Sequence, residues 1–527
     1  MIARALSPTK PLIGVPGIVA LGVLVALGTV LALNLIGTMK VAFAFGGLFL
    51  LLPAFLVRDA RAYGLFVLVS SIPIDMAIHL TKWLVNPQDL LYQFGLPASG
   101  TLGVVFFVTD AVLIAMLLPW LTQLWLRQRS LYFPKIGYIF VLYLAWAVIV
   151  SLLEAPSLYL AMFELTRQIL YFTFFLYIAN NVVTRAQFRA VVLALLIGLV
   201  IAAGGVISFF SFGIGTEFNF FSDVLYGKPE ASSGTLTVAE SGSGKHVARS
   251  SGFFAHPAHA AYYFEYILPI VLGCLLAARR ARDRILFACV LGAGCTALLL
   301  TFSRSGMVGF LVGTLVWFPI ARWSGLISRQ IFACFAFIAT IAAVVGTPLL
   351  INFLEARPEA FNTRWILIER SVTAFLERPI WGAGLNNSSA VTEGARTTAG
   401  SDYQITVVHN YYLIVLVEVG IVGFLLFFGF FWQIVVTAVR HMRAAETEMK
   451  ILLAGIVAAL AGIAIHNFGD PFAGHSVQAM FWLHAGLLLA ICRRVQAQPA
   501  LPAARTSAPV TVPRLQAAAV SATRSGS

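Results

Sequence analysis

The segment VHNYYLIVLVEVGIVG (residues 408–423) combines an apolar run long enough to cross a bilayer with three polar side chains. His409 and Asn410 stand at its start, and Glu418 lies deeper in the run. Carboxylates inside apolar spans are costly and usually face a cavity or a partner. An imidazole near its working pKa is suited to accept a proton from a hydroxyl group. The segment therefore predicts a site and not only an anchor.

Cationic and imidazole side chains also stand at the ends of other apolar runs. The motif TFSRSG (residues 301–306) places Ser303 and Arg304 between two such runs. A guanidinium group offers a planar fork of N–H donors, so an arginine at such a position is a candidate ligand-binding group. The other candidates are Arg364, Arg370, Arg378, Trp365 and Trp381 in the stretch before His409, and His256, His259 and Glu265 in SSGFFAHPAHAAYYFEY (residues 250–266).

The sequence predicts chemistry without a metal. It contains no DxD motif, no acidic cluster and no His/Cys set with the spacing of Mg²⁺, Mn²⁺ or Zn²⁺ ligands. Fixed arginine charges can take the place of a metal ion where negative charge develops. The five cysteines all lie in apolar runs, which is typical of small buried apolar side chains: Cys274, Cys289, Cys295, Cys334 and Cys492.

Each candidate also has a structural interpretation. An arginine at the end of a span often extends its head group to the interface, as Arg304 would do here. Tryptophans at a membrane edge form interfacial belts, and His256-Pro257 is a common way to begin a helix. Glu164 and Arg167, three residues apart, are expected to neutralise each other. Asp110 and Glu265 stay possible cavity-lining groups without an assigned task.

The composition indicates a polytopic membrane protein. Of 527 residues, 60% are hydrophobic and only 11% are charged, and the mean hydropathy is +0.89. Soluble chains are about 45–50% apolar and about 25% charged. The net charge of +13 comes from basic residues scattered between apolar runs. A nucleic-acid-binding protein would concentrate them in a basic patch, so we expect no nucleic-acid partner.

About fourteen runs reach the roughly 17–25 residues that a membrane-spanning helix needs. They lack the alternation of barrel strands, so the fold class is predicted to be all-α, with 12–14 spans. The first run is too long for a signal-peptide core, so we expect it to remain as a span. The runs are residues 12–35, 41–57, 62–80, 101–126, 136–153, 159–183, 188–211, 259–278, 285–302, 305–321, 330–352, 410–438, 450–468 and 474–492.

The distribution of Lys and Arg predicts the orientation. With the N-terminus inside the cell, most basic residues of the short loops fall on the cytoplasmic side, as in Arg279, Arg280, Arg282 and Arg284. Both termini are then cytoplasmic. The membrane domain covers residues 1–495, with long outer loops at 212–258 and 353–408, and a disordered cytoplasmic tail covers 496–527. The first loop is expected to be flexible. The second is expected to hold a helix from Thr363 to about Phe375, ended by Arg378-Pro379.

The combination of TFSRSG, RW followed by RPIWGAGLNN, and HNYYLIVLVEVGIVG resembles the O-antigen ligase and polymerase superfamily over roughly residues 250–440. This resemblance implies a membrane-embedded (GT-C-like) glycosyltransferase of the bacterial inner membrane that works on the periplasmic face. It implies transfer of a glycan from undecaprenyl pyrophosphate to an acceptor hydroxyl, such as lipid A–core, without metal or nucleotide cofactor. About fourteen spans and the long loop at 212–258 depart from the family, whose ligases commonly have about twelve spans.

Carried onto this chain, the resemblance marks Arg304 and Arg364 as pyrophosphate ligands and His409 as the base or the group that positions the acceptor. Five further residues are expected to contact the diphosphate or the glycan: Ser303, Asn410, Arg370, Trp365 and His256. Glu418 and Glu265 are expected to line the cavity. Gly420 and Gly423 are expected to let a neighbouring helix approach closely.

Four functions stay open from the sequence. The first three share one chemistry: ligation of a glycan to lipid A–core, polymerisation of O-antigen or exopolysaccharide repeat units, and transfer to a protein Ser or Thr. The fourth is transport of a lipid-linked oligosaccharide by a flippase, which predicts internal repeats and broken helices near the midplane of the membrane. Polar residues gathered at the outer edge favour catalysis.

Overall fold

The computed structural model describes residues 59–74, 77–79, 105–212, 236–240, 246–254, 256–341, 358–392, 408–472 and 474–497. Most of these residues lie in helices, which confirms the all-α class. The helices are α1 (Ala60–Ser70), α2 (Val108–Trp125), α3 (Gly137–Glu154), α4 (Leu158–Asn181), α5 (Arg185–Phe212), α6 (Pro257–Ala277), α7 (Ala281–Leu300), α8 (Arg304–Trp323), α9 (Arg329–Ile341), α10 (Pro358–Glu377), α11 (Ser388–Thr392), α12 (Tyr411–Met442), α13 (Thr447–His466) and α14 (His475–Ala497).

Two short antiparallel strand pairs accompany the helices: β1 (Ala77–His79) with β2 (Val105–Phe107), and β3 (Leu236–Glu240) with β4 (His246–Ser250). The second pair lies in the loop that the sequence predicted to be flexible. The Ser250 hydroxyl donates a hydrogen bond to the Val206 carbonyl oxygen (2.9 Å) and ties β4 to α5. Backbone pairing and this contact therefore give part of the loop a defined structure.

Nine helices in the described part of the chain are long and apolar enough to cross a membrane, as a multi-pass membrane protein requires. They are α2, α3, α5, α6, α7, α8, α12, α13 and α14. The helix α4 is also long, at 24 residues, but carries Glu164, Arg167 and Gln168. The predicted spans at 12–35 and 41–57, and nearly all of the predicted tail, lie outside the described residues. The number fourteen stays a prediction.

The predicted helical span at residues 62–80 is wrong. α1 has 11 residues and stops at Ser70, and the hydroxyl of Ser71 turns back to the Leu68 carbonyl oxygen (2.8 Å). Pro73 follows and has no N–H with which to continue a helix, and β1 begins at Ala77. A helix of this length covers about 16 Å, roughly half of the hydrocarbon thickness.

Close packing of aromatic and small side chains joins the helices. Phe140 packs edge-on against Trp482 with ring centroids 4.7 Å apart and contacts Phe172 at 4.9 Å. This links α3, α4 and α14. On the other side, Gly309 of α8 lies so near Gly462 of α13 that a Cβ at Gly309 would come within 2.9 Å of the Gly462 carbonyl oxygen. Helices in lipid associate through such close backbone approach, so α8 and α13 form one unit.

Candidate functional site

The N-terminal ends of three helices contact the turn between α13 and α14. The Tyr262 hydroxyl of α6 donates to Asn467 Oδ1 (2.8 Å), and the Tyr411 N–H of α12 donates to the Asn467 carbonyl oxygen (2.9 Å). The Ser305 hydroxyl of α8 donates to Asp470 Oδ2. Helix N-termini carry partial positive charge and N–H groups without helical partners, which favours bound anions. Their convergence therefore creates a region suited to a phosphate.

A buried trio of ionisable side chains lies directly beneath this turn. His466 Nδ1 is 2.5 Å from Glu265 Oε1, and its Nε2 is 3.1 Å from Asp470 Oδ2. The Tyr262 ring stacks on the imidazole at 3.6 Å between centroids and 5° between planes. The side chains of His466 and Glu265 are 0% and 1% exposed. The imidazole is thus held at both nitrogens and on one face.

The contacts of the buried Asp470 carboxyl group favour its ionised form. Burial by itself raises the pKa of Asp470, but hydrogen bonding and charge attraction from His466 outweigh it, so the pKa falls below the ordinary value. Ser305 and Arg364 add to the lowering. The contribution of Arg364 means that this residue of α10 acts electrostatically on the turn.

The TFSRSG motif forms the turn from α7 into α8. Ser303 is buried and caps α8, because its hydroxyl accepts a hydrogen bond from the Gly306 N–H (3.2 Å). Arg304 is the first residue of α8 and is partly buried. Arg249 of β4, which the sequence had not indicated, donates from Nε to the Thr301 carbonyl oxygen (3.0 Å). Two guanidinium groups are therefore attached to this turn.

His256 caps the start of α6. Its Nδ1 accepts a hydrogen bond from the Ala258 N–H (3.1 Å), so the hydrogen of the neutral ring is on Nε2. Burial, with help from the nearby Arg249, lowers the pKa of His256 to about 4, while Asp470 opposes this and His409 adds to it. His256, His409 and Asp470 therefore share one neighbourhood, in which His256 can donate through Nε2–H.

The other predicted site residues have distinct positions. Asn410 caps α12 through a hydrogen bond from the Leu413 N–H to Oδ1 (3.2 Å), and His409 precedes it. On α10, Arg364 and Arg370 are partly buried, whereas Trp365 is 60% exposed. Glu418 is buried and its Oε1 accepts a hydrogen bond from the Ser388 hydroxyl (3.0 Å). The contacts of Glu418 connect it to the segment that follows α10.

That segment, residues 378–387, docks into a break in α12. Gly420 has φ +64°, and the N–H groups of Ala383 and Gly384 donate to the carbonyl oxygens of Val417 and Glu418 (both 2.8 Å). The Ile421 N–H donates to the Pro379 carbonyl oxygen (2.9 Å). Exposed backbone groups at a helix break must find partners in a membrane protein. RPIWGAGLNN supplies them and so fixes the end of α10.

The structure corrects one sequence-based interpretation and adds a partner to another. Gly420 marks a helix break and is not simply a point of close approach between helices. Arg167 forms its ion pair with Asp110, at 2.7 Å between Nη1 and Oδ2, and Glu164 accepts a hydrogen bond from Gln168 Nε2 (2.8 Å). Glu164 also acts electrostatically on Arg167, as the spacing predicted, and the fold adds Asp110 from α2 as the direct partner of the guanidinium.

Sequence reasoning missed His466, Asp470, Ser305 and Arg249. The run HNFGDPFAGH (residues 466–475) between the last two apolar runs was the available signal, since it holds two histidines and an aspartate. Within the described ranges, no group of three His, Cys, Asp or Glu side chains has an arrangement that could hold a metal ion.

Comparisons with known proteins support the resemblance seen in the sequence. A family model described as O-antigen ligase matches residues 287–428, and it confirms the likeness to the O-antigen ligase superfamily. At the level of that family, the match supports a glycan ligase or polymerase with lipid-linked glycan and acceptor partners. The search of curated proteins gave no match.

One similar solved structure is described as "Structural coordination of polymerization and crosslinking by a peptidoglycan synthase complex". It is 15% identical, covers 69% of this chain and 98% of its own, and superimposes with a TM-score of 0.39.

Proposed function

We propose that this protein transfers a glycan from undecaprenyl pyrophosphate to an acceptor hydroxyl at the periplasmic face of the bacterial inner membrane. The observation that carries the proposal is the convergence of the N-termini of α6, α8 and α12 on the turn at Asn467 and Asp470, with Arg304 at the first position of α8 and Arg364 nearby. Such a site suits a diphosphate.

The chemical step is a substitution at the anomeric carbon of the first sugar. The acceptor oxygen forms a new bond to this carbon, and the bond from the carbon to the diphosphate oxygen breaks. The leaving diphosphate takes the bonding electron pair, and its growing negative charge is stabilised by the arginines and helix N-termini. His409 accepts the acceptor proton or positions the hydroxyl. In this proposal no metal ion takes part.

The remaining predicted residues have supporting roles in this proposal. His256 donates a hydrogen bond through Nε2–H, and Ser303 and Asn410 hold the ends of α8 and α12 that face the donor. Arg370 and Trp365 of α10 contact the glycan or its lipid carrier. Glu265 and Glu418 stabilise the cavity wall through His466 and Ser388.

Transport of a lipid-linked oligosaccharide is the competing function. Broken helices are typical of transporters, and α12 is broken at Gly420. In transporters the freed backbone groups coordinate substrate or ions, whereas here Ala383, Gly384 and Ile421 complete hydrogen bonds across the break. The docked segment thus makes the break part of the scaffold and favours the transferase.

The test uses purified protein in lipid nanodiscs with an undecaprenyl-pyrophosphate-linked glycan and an acceptor. Arg304→Ala and His409→Ala are each expected to reduce product at least a hundredfold, while insertion and thermal unfolding stay as in the unmodified protein. A base or an oxyanion-stabilising group contributes about 10²–10⁴ in rate. Transfer by His409→Ala at the unmodified rate would refute its assignment.

The type of acceptor is tested separately by the lipid-linked intermediate that accumulates in a deletion strain. Accumulated single repeat units would indicate a polymerase. Finished chains would indicate a ligase, whose acceptor is then lipid A–core or a protein hydroxyl, and the glycosylated product distinguishes these two.

A further inference from the structure

On the basis of the proposed function, we propose that Glu265, His466 and Asp470 form a buried positioning unit that acts through Ser305. This unit fixes the first turn of α8 and thereby directs Arg304 toward the diphosphate of the donor. None of the three residues of the unit needs to contact the substrate, so they are positioning residues. Their effect is on donor binding.

The first argument is the protonation of the trio. Each imidazole nitrogen faces a carboxylate oxygen, and each of these two contacts needs one hydrogen. The trio therefore holds two protons and a net charge of −1, whichever atoms carry the protons. This negative charge attracts the nearby guanidinium group of Arg364, which acts electrostatically on Asp470.

The second argument is the path from the trio to Arg304. Asp470 Oδ2 accepts hydrogen bonds from both His466 and Ser305. Ser305 lies one residue after Arg304 in the first turn of α8. The hydroxyl of Ser305 is thus the connection between the buried charges and the helix end that presents the guanidinium.

The third argument is the packing that prevents α8 from moving sideways. A Cβ at Gly309 would overlap Glu265 Oε2, and one at Gly306 would come within 2.7 Å of the Ala261 Cβ. Glu265 therefore contacts α8 as well as His466. A charged group is effective in catalysis when surrounding contacts hold it in place before the substrate binds. These contacts hold α8, the helix that begins with Arg304.

A purely structural histidine is available for comparison in the same bundle. His484 of α14 is fully buried, and its Nδ1 and Nε2 contact the carbonyl oxygens of Met480 and Tyr266 (2.8 and 3.2 Å). It has no carboxylate partner among these contacts and does not contact α8 through them. His484→Gln is the matched control for loss of a buried imidazole.

The experiment measures the KM for the undecaprenyl-pyrophosphate-linked glycan and for the acceptor separately, with thermal unfolding in nanodiscs. Ser305→Ala is expected to raise the donor KM about tenfold, which corresponds to about 1.4 kcal/mol, and to leave the acceptor KM unchanged. Ser305→Thr keeps a hydroxyl and is expected to restore the donor KM. Asp470→Asn removes the negative charge and can place an amide NH₂ group where His466 and Ser305 need an acceptor. It is expected to raise the donor KM more than Ser305→Ala does.

His484→Gln is expected to lower the unfolding temperature without changing the ratio of the two KM values. The positioning role would be overturned if Ser305→Ala left the donor KM unchanged or raised both KM values equally. The proposed function would still be supported in that case by transfer in the unmodified protein and by its loss in Arg304→Ala. Absence of transfer by the unmodified protein would overturn the proposed function and this inference together.

Discussion

His466, at the end of α13, and His256, just before α6, differ in the contacts that hold each imidazole. His466 lies between two carboxylates, and His256 accepts a backbone N–H through Nδ1. The His466 ring needs a hydrogen in each of its two contacts with the carboxylates. The second ring must remain neutral to keep its capping bond, so it cannot accept a proton at Nδ1 during the reaction. These contacts leave His409 as the proposed base.

The capping bond of His256 predicts a dependence of stability on pH. The pKa of His256 in the folded protein is about 4, below its ordinary value of about 6.5. Between these values the unfolded chain binds a proton that the folded protein does not, so stability falls as the pH decreases from about 6.5 to 4. The unfolding temperature in detergent is therefore expected to decrease across this range.

His256→Asn isolates this contribution, because asparagine also caps helices but does not titrate. The variant is expected to unfold at nearly the same temperature as the unmodified protein at pH 7.5 and to lose less stability on acidification. Parallel curves for the two proteins between pH 6.5 and 4 would show that His256 does not bind its proton differently in the folded state.

At the level of elements, α12 and the segment at 378–387 act as one structure. Trp381 stacks on Trp146 with centroids 4.9 Å apart, and Trp146 Nε1 donates to the Val419 carbonyl oxygen (2.9 Å). The side chain of Asn387 binds the backbone of Ser157 at the start of α4. These contacts anchor the C-terminal end of α10, and with it the helix that carries Arg364.

Gly420→Ala tests this coupling. Gly420 has φ +64° and ψ −174°, a region that is essentially restricted to glycine, so a residue with a Cβ is strained there by about 1–3 kcal/mol. A Cβ here would also overlap the Ile380 carbonyl oxygen. We expect a lower unfolding temperature and a loss of glycan transfer of at least tenfold, because the docked segment must move and α10 moves with it. Both quantities are measured on purified protein in nanodiscs.

Gly429→Ala is the matched control in the same helix. No atom lies within 4 Å of the position that its Cβ would take, and alanine has a higher helix propensity than glycine. This variant is expected to keep full transfer and to unfold at the same or a higher temperature. If Gly420→Ala and Gly429→Ala lost transfer to a similar extent, the loss would come from substitution in α12 in general. The contact with the docked segment would then have no particular role in transfer.

On the scale of the whole molecule, the sequence predicted what depends on local pattern. The apolar runs predicted the long helices, and the helical periodicity from Thr363 to about Phe375 predicted the helix that the structure describes as Pro358–Glu377. Ser303 and Arg304 are candidates because they interrupt apolar runs at one place in the chain.

The remaining features depend on contacts between distant segments. Glu265 and His466 are 201 positions apart, and no local spacing indicates that they meet. The pair of Asp110 and Arg167 was missed for the same reason, since a nearer carboxylate at Glu164 offered a plausible local partner. To predict the break at Gly420, one must know which segment docks into it. The glycine alone therefore suggested only close packing.

The orientation of the whole molecule remains to be tested, and α6 provides the argument. This helix has 21 residues and is therefore about 32 Å long, enough to cross the hydrocarbon layer. His256 and the site lie at its start, and the basic run from Arg279 to Arg284 follows its end. Basic residues remain on the cytoplasmic side, so the site is expected on the periplasmic side.

Reporter fusions measure this directly. A reporter that is active only in the periplasm is expected to be active when fused near Gly384, in the docked segment, and inactive near Arg282. A fusion near Arg443, after α12, is expected to be inactive as well, and immunoblotting shows whether each fusion is expressed. The opposite pattern would place the diphosphate site in the cytoplasm. The arrangement of Arg304 and Asp470 would then need a different ligand, because the proposed transfer takes place outside that compartment.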